Sequence, residues 1–302
     1  MSFSVACAAL PREDAKRGFR ASEDAFFIYA GTSLTLGVAD GVGGMAAHGL
    51  DPGAFARRLM REAGAAVSAA PASPLREVLS VAHVRALAAG EEGASTSLLG
   101  RVSPCGAVEA LGVGDSSALL LRGDGSLPAV SPRQAVRFDA PLQLGFLAAA
   151  GKGARFKFNL PEVAARWAVA MAPGDALIVC TDGVTDNLFP RDAAALHATS
   201  DTPPPPGAAG ELALRLVRAA AAAAKDRMRD GPFALAAKDA DIAWTAGGRR
   251  DDITVLVVLA TAVAAAAAPL FGVPPRGAAA LCPDASAAGL VPSCALAITG
   301  IK

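Results

Sequence analysis

Two things that would narrow the function at once are missing from this chain: an excess of charge of one sign, and any close pair of cysteines. Lys+Arg and Asp+Glu both number 28. No global field therefore draws the chain to nucleic acid or to an anionic membrane surface, and no nucleic-acid partner is expected. The five cysteines stand at positions 7, 105, 180, 282 and 294, an odd number with no CxxC or CxxH spacing. That pattern speaks against a disulfide framework and for a reducing, intracellular compartment. Cys180, within "ALIVCTDG", reads as a small buried core residue rather than a nucleophile. There is no His or Cys cluster to supply the ligands that zinc prefers. A fixed-period repeat is also absent.

The first residues, "MSFSVACAALPRED", lack a basic stretch followed by an apolar core, and they turn acidic early. They read neither as a secretory signal nor as an Arg/Ser-rich transit peptide. One run imitates a membrane span: residues 253–273 carry no charge, and a span needs about 20 apolar residues. Its first half is β-branched and its second half mostly alanine, which contributes little to insertion. A strand followed by an Ala-rich segment is expected, with no stable membrane insertion.

What the chain does have is apolar residue in quantity, 53 % of the total, enough for a substantial core. "FSVACAAL", "AFFIYAG" and "LTLGVAD" read as strands. "DPGAFARRLMREAGAAVSAA" reads as a helix, with Asp51 as N-cap and Pro52 in the first helical position. "SPLREVLSVAHVRALAAG" repeats that design. Its Leu75, Val78, Leu79, Ala82 and Ala86 share one face, and Gly90 stops it. The period then shortens to that of strands in "STSLLGRV", "GAVEALGVG" and "SSALLLRGDG". "RWAVAMAPGDALIVCTDGV" reads as a hairpin turned at Pro173–Asp175. A short helix near 191–198, a proline run at 203–206, a long Ala-rich helix near 209–229 and the strand "DDITVLVVLA" follow. Strands, clustered helices and strands again point to an α+β domain over residues 1–262, with mostly antiparallel sheets. Residues 263–302 read as an Ala/Pro-rich tail or edge decoration.

The stretch "GVGGMA" at 41–46 matches the G-x-G-x-x-A pattern of dinucleotide sites. Three features oppose that reading. Asp40 precedes the first glycine and would repel a pyrophosphate. The helix signal waits until Asp51–Pro52. Two helices follow in succession, with no second strand ending in an acid for the ribose. A different pattern is stronger: acids recur beside apolar strands, in "SED" (Glu23, Asp24), "VAD" (Asp40), "VGD" (Asp115), "CTDGVTDN" (Asp182, Asp186) and "RRDD" (Asp251, Asp252). One such acid is a turn former. Five clusters in one domain suggest an oxygen-rich site for hard divalent cations, Mg2+ or Mn2+.

"GVADGVGG", "GASTSLLGRV", "LGVGDSSALLLR", "GDALIVCTDGVTDNLF" and "RRDDITVLVV" fall in one order along residues 3–261. In that order the sequence resembles the metal-dependent type 2C Ser/Thr protein phosphatases. The longer forms "VADGVGGMAAHGLDPGAFARRLM" and "RFDAPLQLG" are similar to a eukaryotic subgroup with mitochondrial and chloroplast members, which adds an organelle to the cytoplasm as a possible location. The resemblance implies a four-layer α-β-β-α sandwich of two antiparallel sheets with two metal ions at one end. Asp40 would bridge both ions and the Gly41 carbonyl would bind one. Asp182 and Asp251 would hold the second, and Asp40 and Asp182 would carry catalysis. Asp24, with Glu23 behind it, matches an acidic pair acting mostly through metal-bound waters. Asp115 matches a position that helps bind a weaker third ion. The implied reaction is hydrolysis of phosphoserine and phosphothreonine in a phosphoprotein by a metal-bridging hydroxide, on a monomer. No protein nucleophile is required, which agrees with the lack of a cysteine-based or Ser-His-Asp arrangement.

The chain departs from the family in two places. Val42 stands where many relatives have a histidine proposed as the general acid, and it cannot donate a proton. His48, nearby, reads as a solvated loop residue. An arginine that contacts phosphate is expected shortly before the acidic pair; Arg20 is the candidate for phosphate binding, with Arg17 second, both at an uncommon spacing from Asp24. The same metals would serve a phosphatase of small phosphorylated metabolites. A catalytically silent binding module would lack the metal carboxylates, which are present here. Of the final pair, Asp251 is expected at the metal. Neighbours in extended chain face opposite sides, so Asp252 should face away and accept backbone hydrogen bonds.

Overall fold

The computed structural model describes residues 1–14, 18–19, 21–126, 129–147, 158–197, 205, 207–245 and 247–262, and the backbone of 279–281 and 295–298. The strands of the two large sheets are β1 (Ser2–Leu10), β2 (Asp24–Ala30), β3 (Leu34–Asp40), β4 (Ser97–Val102), β5 (Ala107–Val113), β6 (Ser117–Leu121), β7 (Ala129–Val130), β8 (Ala165–Ala170), β9 (Ala176–Cys180), β10 (Ile253–Thr261), β11 (Ala279–Leu281) and β12 (Ala295–Ile298). One six-stranded sheet runs β7-β6-β9-β10-β1-β12 and the other β8-β5-β4-β3-β2-β11. The pairings within both are antiparallel. The helices are α1 (Ala54–Ala69), α2 (Leu75–Ala88), α3 (Asp182–Thr185), α4 (Pro190–His197), α5 (Ala208–Lys225) and α6 (Pro232–Asp239).

Three apolar layers hold the sandwich together. Phe26, Leu36, Val38, Leu120, Val179, Leu256 and Val258 meet between the sheets. Phe27 and Leu99 instead face Phe55, Leu59 and Met60 of α1 and Leu75, Val78 and Leu79 of α2. Val255, Val257 and Leu259 face Leu212, Leu216 and Val217 of α5 on the opposite outer side. β10 therefore shows why "ITVLVVLA" has no polar alternation. Its two faces enter two different cores, and each fully buried aliphatic side chain contributes about 1.5–3 kcal/mol. The result is the expected α+β, four-layer α-β-β-α architecture. Among the described residues no helix is long and apolar enough to cross a membrane. The charge-free run at 253–273 is strand up to Thr261, and residues 263–273 lie outside the described residues.

Three local expectations need correction. β8 and β9 do not form a hairpin: β8 pairs with β5 in one sheet, and β9 with β10 and β6 in the other. β8 alternates between half-buried and exposed, as an edge strand does, whereas β9 is buried throughout. The Pro173–Asp175 turn crosses between the sheets instead of joining partners. α1 starts at Ala54, after Gly53. Asp51 folds back to accept a hydrogen bond from the Gly53 N–H (3.0 Å), so it stabilises the turn before the helix. The glycine loop itself contains a short 3-10 helix, Gly43–His48. The α2 face and its Gly90 stop appear as expected: the five named residues are buried and Gly90 takes the left-handed conformation (φ 68°).

Candidate metal centre

The β2–β3 hairpin has its turn at one end and two acids at the other. Asp24 opens β2, Asp40 closes β3, and the two are direct cross-strand partners. Directly opposed side chains share a face, and like charges so placed repel. The second sheet brings more acids to the same end. Asp182 follows β9 and begins α3, and Asp251 and Asp252 precede β10. Thr181 ties the two ends together. Its hydroxyl donates to Asp24 Oδ2 (2.8 Å) and accepts from the Thr254 N–H (3.1 Å).

Small residues set the backbone positions. Any Cβ at Gly41 would strike the carbonyls of Pro52 and Glu23, and one at Gly183 would strike the carbonyl of Asp252. The loop beyond Asp40 can therefore lie flat against its neighbours only with glycine at 41. Thr96, within "GASTS", brackets Asp40 from the other side. Its backbone N–H donates to the Asp40 carbonyl (2.9 Å), and its Oγ1 accepts from the Asp40 N–H (3.1 Å). Asn187 pins the segment before Asp251, with its amide bonded to the Gly183 and Arg249 carbonyls (2.9 and 2.8 Å) and its oxygen accepting from the Arg249 N–H (2.9 Å).

Asp251 and Asp252 part as extended neighbours should. Asp252 turns back into the fold and accepts from the backbone N–H groups of Arg12 (2.5 Å) and Glu23 (2.6 Å). Asp251 stays at the sheet end, beside Arg12 (3.5 Å) and Arg249 (3.2 Å). Arg249 also lies against Asp139 (2.7 Å), Asp182 (3.4 Å) and Asp186 (3.0 Å). Arg133 joins Asp186 (2.9 Å) and Asp115 (3.6 Å), and Arg12 reaches Glu23 (3.4 Å).

The carboxylates hold their charge with difficulty. Burial, then Asp252, pushes the Asp24 carboxyl well above the usual range. Exclusion of water, then Asp182, Asp24 and Asp251, does the same to Asp40. Burial with Asp186, Asp115 and Asp251 raises Asp182. Asp115 rises to about 6 through burial, in spite of Arg133. Asp24 Oδ1, Asp115 Oδ1 and Asp182 Oδ1 are buried without a hydrogen-bond partner. Each such oxygen costs about 1–3 kcal/mol, and more when charged. Among the described residues no group of three or more His, Cys, Asp or Glu side chains is drawn together closely enough to hold a metal ion as it stands. The carboxylates are instead interleaved with the guanidiniums of Arg12, Arg133 and Arg249. An all-oxygen donor set with orphaned, mutually repelling carboxylates fits hard divalent cations; their charge would relieve both the repulsion and the unpaired oxygens.

Sequence reasoning pointed to the acids but missed the arginines that stand among them, as well as Thr96 and Asn187. The last two lie inside the quoted "GASTS" and "TDN" motifs, while Arg12 belongs to "PRED" far from the other site residues. Arg17 and Arg20 lie outside the described residues. Val42 is half-buried, with its N–H bonded to the Ala94 carbonyl (2.9 Å), and His48 is exposed at the end of the 3-10 helix. Cys180 is fully buried and its thiol is pushed up to about 12 by that burial, so it is core.

No family model matches the chain. Individual relatives do. A "Probable protein phosphatase 2C 55" of Arabidopsis thaliana is 35 % identical over 239 residues, 78 % of this chain, which spans 47 % of that relative. "Protein phosphatase 2C homolog 7, mitochondrial" of Saccharomyces cerevisiae is 30 % identical over 263 residues, covering 78 % of this chain and 73 % of the yeast protein. Among solved structures, that of the photosystem II phosphatase PBCP superposes with a TM-score of 0.72 at 24 % identity, over 86 % of this chain and 100 % of the other. The solved structure of the S. agalactiae serine/threonine phosphatase superposes with a TM-score of 0.58 at 13 % identity, over 85 % of this chain and 99 % of the other. The sandwich, the ordered acidic motifs and relatives of this identity and coverage together mean that the chain belongs to the protein phosphatase 2C family.

Proposed function

We propose that the chain is a Mg2+- or Mn2+-dependent phosphatase that hydrolyses phosphoserine and phosphothreonine in proteins. Asp24, Asp40, the Gly41 carbonyl, Asp182 and Asp251 would hold two ions, and Asp115 would contribute to a weaker third. The observation that carries this reading is the convergence of these acids from both sheets on one end of the sandwich. Three of their carboxylate oxygens are buried there and unpartnered. When bound, divalent cations supply charge neutralisation of the phosphoryl oxygens and a lower pKa for attacking water. The chain's own part is positioning. Thr181 orients Asp24, Thr96 fixes the backbone of Asp40, and Asp252 anchors the loop that presents Asp251. Arg12 and Arg249 place cationic donors beside the same carboxylates, where a phosphate dianion would meet them.

One chain carries the whole acid set, which supports action as a monomer. The yeast relative is named as mitochondrial, which favours an organelle among reducing compartments. The test is phosphate release from phosphoserine and phosphothreonine peptides. Activity should vanish in excess chelator and return with Mn2+, and a panel of small phosphate monoesters should be cleaved less efficiently. Full activity in chelator would refute the metal requirement, and a preference for one small phosphomonoester would refute the protein substrate.

A further inference from the structure

Beside the carboxylate cluster lies a cavity of about 430 Å³ whose lining is strongly one-sided in charge. Arg12, Lys225, Arg227, Arg249 and Arg250 contribute cations and only Asp251 contributes an acid. The cations come from three separate parts of the chain: the segment after β1, the end of α5 and the loop before β10. A cavity of about 270 Å³ on the other side of Arg249 is balanced, with Arg133, Arg137 and Arg249 facing Asp115, Asp139 and Asp186. Of these two cavities, the first has charge to spare. Lys225 is bonded to Glu13 (2.6 Å), and Arg12 and Arg249 lean on the site acids. Arg227 and Arg250 are exposed and form no ion pair among the described residues. The carboxylate that senses Arg250 is Glu13, already taken by Lys225. Lys225 by itself would be explained as a cation favoured at a helix C-terminus, but that does not explain two unpaired arginines converging on one concavity.

The remaining wall includes an aromatic ring held by its neighbours. Trp244 lines the cavity, donates its indole N–H to the Gly247 carbonyl (3.0 Å) and packs edge-on against Phe233 (centroids 4.7 Å apart). Asp251 belongs to both the cavity and the proposed metal centre, so a substrate held at one reaches the other within a short extended stretch, at about 3.3 Å per residue.

We propose that this cavity binds an anionic side chain of the substrate, within about four residues of the phosphorylated one. The proposal rests on the phosphatase reading and makes the enzyme selective for acidic phosphopeptides. Two sources share that chemistry, a flanking Asp or Glu carboxylate and a second phosphorylated residue.

The test compares phosphoserine peptides identical except for flanking Asp/Glu, a second phosphoserine, or Gln/Asn, on either side. KM should fall for the acidic flanks with kcat little changed. The carboxylate and diphosphorylated arms identify which source is preferred. Arg227→Gln and Arg250→Gln should each erode the preference by about 2- to 5-fold, the range of exposed ion pairs, and higher salt should erode it too. Both residues are exposed, so the fold is not at risk. Equal KM across flanks in the native chain, or a preference untouched by both substitutions, would overturn the proposal while the neutral peptide still reports phosphatase activity. Binding is also read without turnover. In a Trp167→Phe background, Trp244 fluorescence should change on titration with a hydrolysis-inert phosphonate peptide bearing acidic flanks, and much less with the neutral-flanked one. An equal response to both would also overturn it.

Discussion

Asp251 and Asp252 are the same residue type side by side just before β10, and their side chains part into different surroundings. Asp252 spends both carboxylate oxygens on the N–H groups of Arg12 and Glu23, whereas Asp251 faces arginines at the sheet end. Asp252→Asn leaves one acceptor and turns an NH2 towards a backbone donor. It should cost about 1–3 kcal/mol of stability, read as a lower denaturation midpoint, with Mn2+ affinity largely kept. Asp251→Asn should do the reverse, weakening Mn2+ activation and turnover while leaving the midpoint near that of the native chain. The opposite order would place the metal register one residue later. That the two acids part was legible in the sequence from the two-residue period of extended chain; which of them turns to the sheet end came from the family's closing motif. The roles of Arg12 and Arg249 were not legible, since beside one near acid each (Glu23 and Asp251) they lean on acids far away in sequence, and nothing local marks a guanidinium that will fold onto a distant acid.

Elements succeed or fail as predictions according to how local their determinants are. The stripe on α2 and the glycine that ends it were readable, because both act within a few residues. The supposed hairpin at Pro173–Asp175 failed because a turn signal specifies a change of direction and not the sheet to which the next strand belongs. The same dependence on distant contacts governs α3, four residues long and too short to be stable alone. It is held by the close approach of Gly183 to the Asp252 carbonyl and by Asn187. Gly183→Ala should therefore be far worse than its helix propensity suggests. Alanine would normally stabilise a helix by up to about 1 kcal/mol, but here overpacking against backbone should cost about 1–3 kcal/mol or more. Thermal denaturation decides the sign; a stabilised variant would show that the contact is slack.

The whole molecule is neutral by count, yet it gathers carboxylates from both sheets at one end. This local imbalance gives a pH dependence. Asp24, Asp40, Asp182 and Asp115 have folded pKa values raised above those of the unfolded chain. Between the unfolded carboxylate value, about 3.9, and the raised folded value, the native state binds more protons than the unfolded state. Stability therefore falls as pH rises through that window. For Asp115, which reaches about 6, the loss is of order 2–3 kcal/mol. In chelator the melting temperature should drop between pH 4.5 and 7, and Asp182→Asn should flatten the drop. A melting temperature that rises across this range would show that the acids are well compensated without metal. The α+β class with antiparallel sheets was foreseeable from the order of strands and helices, and the four-layer sandwich from the family resemblance; the arginines' place within the cluster belongs to the assembled fold alone. The most direct test of the central claim is calorimetric titration of Mn2+ into the chelator-stripped chain at pH 7.5. The account predicts saturable binding of about two ions per chain, lost in large part in Asp40→Asn and in Asp182→Asn. Absence of saturable binding, or binding unchanged by both substitutions, would contradict it.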